Sequence, residues 1–177
     1  MVFAVPLSLG FHSISEYIEF HTLADFDMNC AMAKLNSKLP DDVRVTALCK
    51  KPEKYTKTLA SYVYSATYEI MCEGMYNTKE NMQEFFDQKS ILISKTSKKT
   101  GRTTQLDIRD RMFSYRIKKD IKNRMLITID LRSDSDAMLN PSVFFKAYCD
   151  YFRLDIDKLE PVITRTAILD KDGNPLV

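Results

Sequence analysis

Apolar and polar positions alternate along this chain with two different periods, and the switches between them mark its elements. Val2 to Val5 is a short apolar run closed by Pro6 and Gly10, the pattern of a brief strand and a turn. From Ser15 to His21 the order Ser-Glu-Tyr-Ile-Glu-Phe-His alternates with a period near two, which predicts a half-buried strand. Asp27 then stands as an N-cap. Behind it Met28, Ala31, Met32 and Leu35 recur at i, i+3, i+4 and i+7, predicting an amphipathic helix over residues 28–38. Pro40-Asp41-Asp42 is turn chemistry, and Val43 to Leu48 is expected to return as a strand. Lys50 to Thr58 carries Pro52 and four lysines in nine residues, and reads as a linker.

A second block opens with a strand over Tyr64 to Glu73. Thr78 is placed to cap a helix running to about Gln88, with Met82, Phe85 and Phe86 on one face. Ile91-Leu92-Ile93 starts a strand that enters the basic segment Lys95 to Arg102. Leu106 and Ile108, with Met112 at the limit, carry the return strand of a hairpin turning near Gly101. Phe113 to Lys118 and Met125 to Leu131 form another strand pair. Asn140-Pro141 starts a helix with Asn140 as N-cap and Pro141 at the first helical position, its buried side lined by Phe144, Phe145, Tyr148 and Phe152. Ile163 to Leu169 is a last strand, and Asp172 to Pro175 a turn.

This order is strand, helix, two to four strands, helix, strand: a ferredoxin-like βαββαβ series with an extra strand pair. The first block has the same order without its opening strand and helix. The expectation is therefore an α+β protein of two ferredoxin-like (split βαβ) units with mostly antiparallel sheets. Residues 1–57 form the first unit, truncated, and residues 58–177 the second, with the extra basic strand pair.

Composition narrows the class without naming a function. The 177 residues suit one ordinary domain or two small ones, and 45% hydrophobic with 28% charged residues excludes disordered and collagen-like chains. Cys30, Cys49, Cys72 and Cys149 lie 19, 23 and 77 positions apart, so no pair has C-x-x-C spacing. All four are expected to be buried or half-buried free thiols in a reducing cytoplasm. No apolar run approaches the roughly 20 residues of a membrane span. The start lacks the basic region and apolar stretch of a secretory leader. Cytoplasmic residence without membrane contact is expected.

Charge changes the picture more. The whole chain carries a net +2, yet Lys95 to Arg124 holds 11 Lys or Arg and 3 Asp, a net +8 against −6 elsewhere. On adjacent strands these cations would form a one-sided basic surface for phosphates, with Phe113 and Tyr115 available to stack on bases. The candidate nucleic-acid-binding set is Lys95, Lys98, Lys99, Arg102, Arg109, Arg111, Tyr115 and Arg116. A solubilising hairpin whose lysines guard an edge strand fits the same residues, and another anion is a third option. Asp107 and Arg109, two apart on a strand and opposite Lys98, would share a face. They suit a register-fixing ion pair more than a catalytic base. His12 and His21 with Glu16 and Glu19 suggest a metal set, but strand geometry separates them. No Gly-rich phosphate loop, nucleophile elbow, H-E-x-x-H or C-x-x-x-C-x-x-C cluster motif occurs, so neither catalysis nor a cofactor is expected.

Phe3-Ala4-Val5-Pro6-Leu7-Ser8-Leu9-Gly10, followed by Ser13 to Glu19, resembles the F-A-P-P-L-P-L-G-V-x-S-x-x-E-Y segment of the bacterial radical-SAM-linked protein family. That domain occurs alone or fused behind a radical SAM protein. Ala66 to Ile70 is similar to its A-x-Y-x-V strand. Lys95 to Gly101 with Leu106 to Arg109 is similar to its R-x-x-K-K-G hairpin and D-I/L-R strand. Asn140-Pro141 and Thr164-Arg165-Thr166 stand where it places R-P-E and R-T. The resemblance implies a radical SAM partner and a non-enzymatic accessory role, with RNA contact or protein docking as its purpose. It also implies a further strand and helix, roughly 40 to 50 residues, before Met1, the opening of a split βαβ unit. An internal start, a truncation or a split gene is the expectation that follows. Without that piece, the apolar faces of residues 2–9 and 28–35 are expected to be uncovered and to seek another chain.

Overall fold

The computed structural model describes residues 1–72, 79–96, 101, 103–119 and 124–177, with the side chains of 79–82 and 96 left aside. Its chain order is β1 (Val2–Phe3), β2 (His12–Ser13), β3 (Ile18–Glu19), α1 (Met28–Asn36), a 3₁₀ turn Leu59–Tyr62 and β4 (Ser65–Cys72). There follow α2 (Lys79–Phe86), β5 (Leu92–Thr96), β6 (Thr103–Asp107), a 3₁₀ turn Arg109–Arg111, β7 (Met112–Lys119), β8 (Met125–Arg132), α3 (Pro141–Phe152), α4 (Ile156–Leu159) and β9 (Val162–Leu169). The class is α+β with mostly antiparallel sheets.

The main sheet has the order β2-β9-β4-β8-β7, and every pair in it is antiparallel except β2 with β9. Strand β4 is its centre. Ala66, Tyr68 and Ile70 oppose Leu131, Ile129 and Ile127 of β8, and all six are buried. The intervening Thr67, Glu69 and Met71 are half-exposed, so the period-2 pattern sends the core to one face. Helices α2 and α3 cover that face. Phe85 and Phe86 of α2 meet Phe144 of α3 at ring-centroid distances of 6.2 and 6.0 Å, and Tyr148 of α3 lies 5.3 Å from Phe85. Asn140 caps α3 by accepting the Ser142 N–H at 2.8 Å, Pro141 sits at its start, and Arg153 closes it in the left-handed region (φ 53).

The first block departs from its sequence pattern. Only Ile18–Glu19 of the expected 15–21 strand pairs, with β1, while His12–Ser13 joins β9 in parallel. The expected strand at Val43–Leu48 is absent because no neighbouring strand reaches it. The Asn36 side chain takes that part, donating to the Val45 carbonyl at 3.0 Å and accepting its N–H at 2.8 Å. Helix α1 forms, capped by Asp27 on the Cys30 N–H at 2.6 Å, but it buries none of its residues. The expectation for the cysteines holds in part: Cys72 and Cys149 are buried, whereas Cys30 and Cys49 are exposed because they lie in this thinly packed block. The helix cap expected at Thr78 and the Met82 side chain lie outside the described residues.

What ties the N-terminal segment down is polar. Arg165 of β9 is 1% exposed and meets Glu16 in a bidentate pair, Nε to Oε1 at 2.8 Å and Nη2 to Oε2 at 2.6 Å. Its Nη2 also donates to the Val5 carbonyl at 3.0 Å. Glu19 accepts from Lys51 at 2.7 Å and from the Leu59 N–H at 2.9 Å, which hold its carboxyl below the usual range. The Tyr55 hydroxyl donates to the carbonyl of buried Leu176, closing the C-terminal tail over the same core.

Two outcomes follow from this packing. Removing one partner of a fully buried ion pair costs about 3–5 kcal/mol, and the partial solvation of Glu16 lowers that. Glu16→Gln should therefore cost about 2 kcal/mol, read as a lower urea midpoint with unchanged slope. A midpoint equal to wild type would mean that Arg165 finds water instead. Burial pushes the Cys72 thiol up to about 12, with a further push from Cys149, and burial likewise raises Cys149 to about 11. In native protein an aromatic disulfide reagent should thus titrate two thiols quickly, Cys30 and Cys49, and the other two only after unfolding.

Candidate nucleic-acid interface

The basic hairpin is a two-stranded ribbon apart from the main sheet, with β5 and β6 in register from Leu92 opposite Asp107 to Thr96 opposite Thr103. Gly101 lies at its turn with φ +65, a left-handed conformation that glycine adopts without strain. Asp107 closes the base of the ribbon. Its carboxylate takes the Ser90 hydroxyl, the Arg109 N–H at 2.9 Å and the Ile91 N–H at 3.0 Å, and these bonds hold its pKa below the ordinary value. Arg109 is not on the strand with Asp107, as the two-residue spacing predicts. It starts a 3₁₀ turn, and its guanidinium donates to the carbonyls of Gln88 at 3.1 Å and Met112 at 3.3 Å. The pair is therefore structural glue between ribbon, α2 and β7, joined through the backbone rather than as an ion pair across a strand.

Strand β7 is the edge of the main sheet, and its pleat divides the basic segment. Tyr115, Ile117 and Lys119 oppose Ile129, Ile127 and Met125, which places them on the helix side. Tyr115 stacks on Phe86 of α2 at 3.7 Å with an interplanar angle of 10°, and burial raises its hydroxyl pKa. Arg116 and Lys118 oppose Thr128 and Leu126 and stand exposed on the other face. The segment does not lay its cations on a single surface, because alternate residues of a strand must point to opposite sides.

A register shift between Met112 and Tyr115 puts Phe113 and Ser114 opposite the one residue Asp130. The Ser114 hydroxyl and the Thr67 hydroxyl, the latter at 2.6 Å, both donate to the Asp130 carboxylate, which fixes the bulge on the face turned away from α2 and α3. There Phe113 stacks on Tyr64 at 5.1 Å with an interplanar angle of 13°, the two rings remaining 42% and 37% exposed. The Arg132 guanidinium lies 5.8 Å from the Tyr64 ring centroid and pairs with Asp134 at 2.5 Å. Arg116, Ser114, Asp130 and Arg132 thus share one face with an exposed aromatic pair.

Of the eight residues expected to contact nucleic acid, Lys95 is exposed on the ribbon and Arg116 on the far face of β7. Arg109 and Arg111 are half-buried in the 3₁₀ turn, and Tyr115 is on the helix side. Lys98, Lys99 and Arg102 lie outside the described residues. Tyr64 and Arg132 were not legible as partners of Phe113, since only the register of β4, β7 and β8 brings them together. His12 sits in β2 opposite Thr164, and His21 lines a groove of about 500 Å³ with Glu19, Asp25, Phe26 and Lys51. Among the described residues no three His, Cys, Asp or Glu side chains are grouped to hold a metal ion, and no helix is long and apolar enough to cross a membrane.

The lowered pKa of Asp107 fixes a sign. Its contribution to the ribbon base is present above the unfolded-state value and is lost as pH falls through the folded one. The amide resonances of Ile91 and Arg109 should therefore titrate together, with a midpoint below the ordinary Asp value of about 3.9. In Asp107→Asn that shared transition should vanish.

Comparison with known proteins gives a family and no activity. No curated protein and no solved structure matches the chain. A family model does match residues 1–141, from β1 through β8 to the start of α3. Its description names neither a partner nor a reaction. The chain belongs to the bacterial family described as "Uncharacterized protein conserved in bacteria (DUF2344)".

Proposed function

We propose that this chain is an RNA-binding accessory module of a radical SAM system, contacting phosphates through the β5–β6 ribbon and the exposed side of β7. The observation that supports this best is the company of Arg116 and Lys118: exposed cations on the sheet face that α2 and α3 leave uncovered, next to an exposed aromatic pair. The strand order adds weight. In β9-β4-β8-β7 the first and third strands of a βαββαβ series lie at the centre, which favours a ferredoxin-like reading of residues 58–177. Sheet-based RNA binders of this kind use the face opposite their helices. The first 57 residues are read as a truncated first unit of the same kind, and the radical SAM partner rests on the motif resemblance.

A second reading, docking to a radical SAM protein or to a second copy without RNA, is favoured by a different observation. Twelve of the 21 large exposed hydrophobic side chains, among the described residues, lie between Met1 and Val43. Such a concentration is typical of a contact surface.

Salt separates the two readings. Anisotropy of a labelled cellular small-RNA fraction should report micromolar binding that weakens roughly 20- to 50-fold between 50 and 200 mM salt, if three or four cations meet phosphates. Changing Lys95, Lys98, Lys99 and Arg102 to Ser, or Arg116 and Lys118 to Ser, should each remove most of that binding. Failure of the wild type to bind at low salt, with salt-insensitive self-association or capture of the radical SAM protein, would favour docking.

A further inference from the structure

Resting on the RNA reading, we propose that the Phe113–Tyr64 pair is a base-stacking platform, so that the RNA recognised is single-stranded. An unstacked base offers a π-face that a duplex keeps covered by its neighbours, and an exposed aromatic ring can take it whatever its sequence. Phe113 and Tyr64 already form a parallel stack 5.1 Å apart and stay about two-fifths exposed, so a base can extend the stack without rearranging it. Arg132 beside the Tyr64 ring, held by Asp134, polarises the inner end of the stack. The bulge is what makes this possible. It turns Phe113 to the far face, and the Thr67 and Ser114 hydroxyls on Asp130 lock it there.

The geometry also orders the ligand. Arg116 and Lys118 follow Phe113 along β7 on the same face, about 6.8 Å from each other at the usual antiparallel rise. That spacing suits successive phosphates of an extended strand leading away from the stacked base. Tyr115, the aromatic residue nearest these cations in sequence, is instead committed to Phe86 on the helix side.

Two variants and two probes test this. The probes are a labelled oligouridylate and its duplex with oligoadenylate of equal length. Oligouridylate should bind wild type more tightly than the duplex. Phe113→Leu, with its urea midpoint checked for folding, should weaken oligouridylate binding roughly tenfold without changing the salt slope. The chain contains no tryptophan, so Phe113→Trp places a single indole at the platform. Its fluorescence should be quenched by oligouridylate and not by the duplex. Equal binding of both probes, with Phe113→Leu indistinguishable from wild type, would overturn the platform and leave the phosphate surface standing. Absence of binding to either probe at low salt would overturn both.

Discussion

The pleat of β4 is the constraint on which the rest of the structure depends. Paired with β8 over Ser65–Cys72 and with β9 from Ser65 to Met71, it cannot slip by one residue without sending Ala66, Tyr68 and Ile70 to the opposite face. That fixed register aligns Ile127, Ile129 and Leu131 of β8, and through them Tyr115 and Ile117 of β7. The aromatic residues of α2 and α3 then have one apolar floor to cover. Arg116, Lys118 and the Phe113–Tyr64 pair are on the other side of that floor, and Lys95 is on the ribbon beyond it. The exposed cations of β7 and the core are thus separated by a period of two.

A different logic holds the first block. It lends few side chains to the core, Ala4, Val5 and Tyr55 among them, and depends on charged and polar ties for its position. Arg165 does most of this, since one guanidinium satisfies Glu16 and the Val5 carbonyl while buried in β9. A buried cation of this kind contributes little net stability over a packed apolar residue, but it penalises any arrangement that leaves it unpaired. The tie therefore specifies where residues 5–16 go more than it strengthens the fold. Low apolar burial in α1 and in 20–50 marks these residues as a low-stability region that would open before the sheet.

The legible parts of the sequence were those whose local pattern agrees with their surroundings. Strands β4, β7, β8 and β9, helix α3 with its Asn-Pro start, and the hairpin turn at Gly101 all announce themselves, because alternation and capping chemistry are local. Val43–Leu48 has a strand's composition and no neighbour to pair with, and a strand without a ladder does not form. The 15–21 alternation is likewise spent on Glu16 and Glu19 reaching Arg165 and Lys51. At the candidate interface, charge clustering was visible, but the sides were not. A bulge of one residue decides that Phe113 faces away from the helices while Tyr115 faces α2, and nothing in residues 112–115 alone encodes it. Tyr64 and Arg132 join Phe113 only through three strands' registers.

The far face raises a question of magnitude. Beside Arg116 and Lys118 it carries Glu69 and Asp130, and Arg132 is already paired with Asp134. Exposed charges further apart than about 8 Å are largely screened at physiological salt, so these few cations cannot draw RNA from a distance. On the RNA reading, long-range attraction would come from the segment Lys95 to Arg124 as a whole, whose net +8 stands against −6 in the rest of the chain. On the proposed reading, affinity at the sheet would come from a term that salt does not screen, and base stacking on Phe113 would be such a term, worth about 1–3 kcal/mol per base. The proposal thus divides the work between a basic segment that steers and a sheet face that stacks, a division that the uneven charge distribution favours. A nearly neutral chain is compatible with that proposal, because the +8 of one segment is offset by −6 elsewhere.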